Sequence, residues 1–139
     1  MSSSRSVAAS PLVSRVVLDA SALLALLNGE TGADAVARAI PGAVISSVNL
    51  SEVIAKLADA GMPEREVHEA LDPLGLGVIP FDETLAYLAG TLRPATRSLG
   101  LSLGDRACLA LGMHAGAAVL TTERAWTKLS LGIPIHLAR

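Results

Sequence analysis

VVLDASALLALL, residues 16–27, is an apolar run broken by a single acid, Asp19. Val16, Val17 and Leu18 read as a short buried strand, and Ser21 to about Asn28 as a helix that Asn28-Gly29 ends. A strand feeding a helix this tightly is the opening unit of a parallel α/β sheet. The acid falls at the junction, and three others repeat that placement: Glu52, Asp105 and Glu123 each stand where an apolar run gives way to a helical one. In an open parallel sheet the carboxyl ends of the strands and the first turns of the following helices share one edge, where ligands bind. Carboxylates gathered there repel one another unless a cation neutralises them.

The remaining chain extends the alternation. Helices are predicted over Gly32 to Ala39, Val48 to Ala60, Pro63 to about Leu71, Glu83 to about Arg93 and Ser102 to His114, with a short one from Arg124 to Leu129. In the second of these Val53, Leu57 and Ala60 share one face, and Pro94 should kink or interrupt the one from Glu83. Strands are predicted at Ala43 to Ser46, Leu76 to Pro80 and Ala117 to Leu120, and Ile133 to His136 forms a further strand that Pro134 confines to an edge. The fold class is therefore α/β, with a mostly parallel sheet covered on both faces. No repeat or linker divides the chain, so residues 1–15 are taken as a tail of low order and residues 16–139 as one domain.

Composition excludes several classes. Of the 139 residues 51% are apolar and 17% charged, enough for a sizeable core. The apolar run at 16–27 is far short of the roughly 20 residues of a membrane span, and the N-terminus lacks the apolar segment of a secretory signal. A lone cysteine, Cys108, among Ala107 and Leu109 reads as a buried thiol, and a cytoplasmic setting is expected. The net charge of −2 and the single Phe, Tyr and Trp give neither a basic surface nor a stacking platform for nucleic acid. Any contact with nucleic acid must come from a local site.

Each acid also has a structural reading as a helix cap. Ser102-Leu103-Gly104-Asp105 fits a capping box, Asn49-Leu50-Ser51-Glu52 has the same spacing with Asn49 as cap, and either Asp19 or Ser21 caps the first helix. Glu123 follows Thr121-Thr122 and suits a helix dipole. Three of these strand ends should adjoin, however, and converging carboxylates without histidine or thiol partners suit a hard ion such as Mg2+ or Mn2+ rather than zinc. Such a site polarises a phosphodiester and activates water. Ser21 and Thr121 are placed to orient Asp19 and Glu123 by hydrogen bonds.

VVLDASALLALL, NLSEV, GLSLGDRACLALG and VLTTERAW, in this order and spacing, resemble the PIN-domain ribonucleases, specifically VapC-type toxins of toxin–antitoxin pairs. The resemblance covers roughly Val16 to Leu137. It implies a three-layer α/β/α sandwich and a Mg2+-dependent endoribonuclease, in which Mn2+ may substitute. It makes Asp19 and Asp105 the principal metal ligands and Glu52 the third acid. Glu123 stands where the family usually carries Asp; the added methylene favours one metal site over two. Arg106 and Arg124 would meet RNA phosphates at the rim, with Arg93 and Arg97 extending it. Trp126 is read as core or interface packing. The implied partners are RNA, an antitoxin that covers the acidic pocket, and a second copy in a homodimer. Two other readings stay open: a degraded PIN-like module that only binds, and a phosphatase of the haloacid dehalogenase type, which would need an acid where Ser21 stands.

Overall fold

The computed structural model describes residues 15–139; the expected tail, apart from Arg15, lies outside the described residues. Five strands form one all-parallel sheet: β1 (Val16–Leu18), β2 (Ala43–Ser46), β3 (Gly77–Ile79), β4 (Ala118–Thr121) and β5 (Ile135–Leu137). Their spatial order is β3-β2-β1-β4-β5. The chain winds outward from β1 through β2 to β3, then crosses back past β1 to β4 and β5. That reversal puts a topological switch point between β1 and β4, and β5, carrying the Pro134 constraint, takes an edge as predicted.

Helices α1 (Ala20–Leu27), α2 (Ala33–Ala39), α3 (Ser47–Asp59) and α4 (Glu64–Leu71) cover one face, and α5 (Glu83–Thr91), α6 (Arg93–Thr96) and α7 (Leu103–Ala115) the other. The strands divide between these layers by their period of two. Val17 and Val119 pack with Leu85, Cys108 and Leu109, whereas Leu18 and Leu120 pack with Ala22 and Val36. Val17 and Leu18 are both fully buried, each worth ~1.5–3 kcal/mol in transfer out of water. This is a three-layer α/β/α sandwich whose central strand is buried on both faces.

Most predicted boundaries shift by a residue or two. The helix predicted from Glu83 to about Arg93 ends at Thr91, and Pro94 stands in the first turn of the short α6, where a ring without an N–H is tolerated but an uninterrupted helix through it is not. The segment predicted as a short helix at Arg124 is a 3-10 turn, Arg124–Lys128, and it buries Trp126 in the core at 2% exposure. One assignment is corrected: α3 starts at Ser47, directly after β2, and is capped by Ser46, whose Oγ accepts from Val48 N at 3.2 Å. Asn49 is therefore inside the first turn and caps nothing. Ala60 is also exposed and ends the helix rather than sharing the Val53–Leu57 face.

Only two residues separate the end of α7 from the start of β4, so the N-terminus of α7 lies at the carboxyl edge of the sheet. It packs close enough that a Cβ at Gly112 would stand 2.7 Å from Val119 Cγ2 and 3.0 Å from Ile133 Cδ1. Gly112→Ala is expected to lower stability by about 1–3 kcal/mol in urea unfolding despite alanine's better helix propensity; an unchanged midpoint would contradict this packing.

Candidate metal centre

Asp19 ends β1 and caps α1: its Oδ1 accepts from Ala22 N at 2.9 Å. The side chain is only 4% exposed, because β1 is central and α1 follows without a linker. Two hydroxyls reach the same carboxylate. Ser21 Oγ donates to Oδ1 at 2.7 Å, and Thr121 Oγ1 donates to Oδ2 at 2.8 Å across the switch point. Both hydroxyls are themselves anchored by the end of β4, since Thr122 N donates to Ser21 Oγ at 3.1 Å and Glu123 N to Thr121 Oγ1 at 3.0 Å. Asp19 N also donates to Leu120 O at 3.2 Å. Ser21 thus orients Asp19 as predicted, whereas Thr121, predicted to orient Glu123, donates to Asp19 instead and takes only the backbone N–H of Glu123, because the two hydroxyls close one junction between β1 and β4.

Burial pushes the Asp19 carboxyl up from 3.8 to about 6, against the lowering effect of the Ala22, Ser21 and Thr121 hydrogen bonds; the negative charge of Glu123 adds to the rise. Three donors do not fully replace lost water. The ionised group is therefore a standing electrostatic load on the metal-free fold.

The other acids approach on separate elements. Asp105 completes the predicted capping box: its Oδ2 accepts from Ser102 N at 2.9 Å while Asp105 N donates to Ser102 Oγ at 3.1 Å. Glu52 lies on α3 and its Oε1 accepts from Asn49 Nδ2 at 2.9 Å. The negative charges of Asp19, Asp105 and Glu52 all reach Cys108, fully buried on α7, and add to the burial that holds its thiol well above the usual range. Glu123 is exposed at the start of the 3-10 turn and makes no side-chain cap. Four elements thus bring the acids toward one sheet edge, with Asp19 deepest.

Among the described residues, no three His, Cys, Asp or Glu side chains form a ready ligand cage. A Mg2+-like ion keeps several waters and needs only one or two protein carboxylates, so the all-oxygen donor set and the under-compensated Asp19 charge fit a hard divalent cation. Two features differ from the sequence reading. Arg106 Nη1 donates to Ala89 O at 3.0 Å, fastening this side chain to α5, whereas Arg124, Arg93 and Arg97 are exposed. Asn49, read only as a cap, is 1% exposed and bonded to Glu52. The signal was present: Asn49, Val53 and Leu57 continue one buried stripe at a spacing of four.

Away from the acids, α3, α4 and β3 border an apolar groove of about 650 Å³ lined by Leu50, Ile54, Met62, Val67, Leu76 and Val78 among others. Ile54 and Val78 remain 37% and 45% exposed there.

Because the folded-state pKa of Asp19 lies above its unfolded value, its neutral form is favoured by folding. The contribution is fully present below about pH 4 and is lost as pH rises through about 6. Metal-free Asp19→Asn should therefore gain about 3 kcal/mol on the native chain between pH 4 and 7, read from paired urea unfolding curves. Parallel pH profiles would contradict this account of the carboxylate.

Comparison with known proteins bears on the fold. The family model for the PIN domain matches residues 16–130. No curated protein matches. Solved structures share the fold at low identity. A chain of the DNA-bound VapBC from Salmonella typhimurium superposes with a TM-score of 0.71 at 21% identity, over 90% of this chain and 98% of that one. A toxin–antitoxin complex from Klebsiella pneumoniae gives 0.71 at 19%, over 89% and 98%. VapBC2 from Rickettsia felis, bound to a DNA fragment from its promoter, gives 0.70 at 15%, over 88% and 97%. With its matched region spanning every strand but the last, the chain belongs to the PIN-domain family.

Proposed function

We propose that this chain is a metal-dependent endoribonuclease and the toxin of a toxin–antitoxin pair. The observation that carries the reading is the buried Asp19 carboxylate at the switch point, with Asp105 and Glu52 arriving from α7 and α3. Membership of the PIN-domain family and the likeness of the fold to VapBC chains support it.

Asp19 and Asp105 would hold Mg2+, for which Mn2+ would substitute, with Glu52 as the third acid and Glu123 at the margin. A bound divalent ion supplies water activation and charge stabilisation at the phosphodiester. Ser21 and Thr121 fix the Asp19 carboxylate so that its oxygens keep one orientation as charge builds on the substrate. Arg124 is exposed next to Glu123 and free to meet a phosphate; Arg106 would first have to release Ala89 O. A cytoplasmic RNA is the natural substrate, and among the described residues no helix is long and apolar enough to cross a membrane.

The antitoxin would neutralise the acidic edge with a basic segment, for which an uncompensated cluster of carboxylates gives the electrostatic reason. The apolar groove between α3 and α4 begins at Leu50, two residues before Glu52, and its exposed Ile54 and Val78 favour cover by a protein, the antitoxin or a second copy of the chain. A second reading, a PIN-like module that binds without cutting, is favoured by Glu123, which stands where the resemblance implies an aspartate.

Purified protein incubated with RNA and Mn2+ separates the two. The nuclease reading expects cleavage that EDTA abolishes and that Asp105→Asn lowers by about 100-fold or more, beyond the loss typical of a merely supporting partner. No cleavage, or equal cleavage by the variant, would favour the binding module.

A further inference from the structure

Asn49 is a buried amide in an otherwise apolar stripe, and its nitrogen is fully engaged. Nδ2 donates to Glu52 Oε1 at 2.9 Å and to the Gly104 carbonyl at 2.9 Å. The first bond stays within α3. The second crosses to the opening turn of α7, one residue before Asp105. The amide orientation is set by chemistry, since turning it over would press Oδ1 against two acceptors. Gly104 supplies the other wall: a Cβ there would fall inside the Glu52 carboxylate, so only glycine lets that group lie against the α7 backbone.

A second observation argues that this arrangement serves more than packing. Asn49 Oδ1 is buried without a hydrogen-bond partner. An apolar side chain of similar shape would cover α7 without burying an unpaired acceptor, so a purely structural role explains the amide poorly. Asp105 meanwhile is fixed on its own side by the Ser102 capping box. The two acids are thus held from different helices, and Asn49 is the bond that spans them.

We infer that Asn49 and Gly104 form a seat that fixes the Glu52 carboxylate at a set spacing from Asp105, making Asn49 a positioning residue of the acidic site. This rests on the nuclease reading above for its purpose. Freed from the seat, Glu52 has three side-chain torsions to order before it can join a cation's ligand or water shell. The seat orders them in advance.

The test is a double-mutant cycle on the full chain, read by calorimetric titration with Mn2+ alone. Asn49→Leu keeps the shape and removes the donors; it should weaken Mn2+ binding roughly 10- to 100-fold in the native background and leave affinity unchanged in Glu52→Ala, which removes the seated oxygens. Gly104→Ala should behave alike. Equal losses in both backgrounds, or none in either, would overturn the seat. Should Asn49→Leu fail to fold, Asn49→Ser and Gly104→Ala are read in the same cycle. A native chain that binds no Mn2+ sinks the nuclease reading instead. The seat is then judged without metal, by urea unfolding of Asn49→Leu, Glu52→Ala and their combination: additive effects overturn it and non-additive ones support it.

Discussion

The carboxyl edge of the sheet is organised around a carboxylate buried where two strands meet at a reversal of winding. Asp19 stops β1, starts α1 and bridges to β4 through Thr121, so the same group serves covalent neighbours and a strand about a hundred residues away. Its burial follows from the central place of β1, and the load follows from its burial. Ser21 and Thr121 offset part of that load but cannot remove it, and Glu123 increases it. On the function proposed above, a cation at this edge would relieve the load that Asp19 carries.

Much of this was legible before any coordinates, for reasons that can be traced to residues. The strand–acid–helix junction at 16–27 announces itself because apolar continuity, a capping acid and helical periodicity agree. The Ser102 box is similarly local, and Pro94 and Pro134 act through covalent constraints that no tertiary context removes. The capping role seen at Asp19 and Asp105 does not compete with the site role proposed for them, because a carboxylate that caps a helix at the carboxyl edge stands where ligands bind in such sheets.

What stayed hidden depends on contacts between distant segments. Asn49 carries two local signals, a cap-like spacing to Glu52 and the buried stripe with Val53 and Leu57, and they point to different roles. The cap at Ser46 decides between them, because the helix starts at the strand's last residue and turns Asn49 inward onto Gly104. Arg106 likewise sits beside Asp105 in sequence, yet its guanidinium is held by a carbonyl of α5. Adjacency along a helix does not fix direction. The exposed apolar groove beside α4 was equally silent, since its wall combines three elements whose separate patterns are unremarkable.

The central claim is that the Asp19 edge is the cation seat of this chain. Amide NMR spectra during addition of substoichiometric Mn2+ test it most directly, because the paramagnetic ion broadens the signals nearest to it. The Ala22, Thr122 and Glu123 amides should broaden first, with those of Val67 and Leu71 on α4 among the last. First broadening at the exposed acids of α4, Glu64 and Glu66, or uniform broadening with no preferred site, would contradict it.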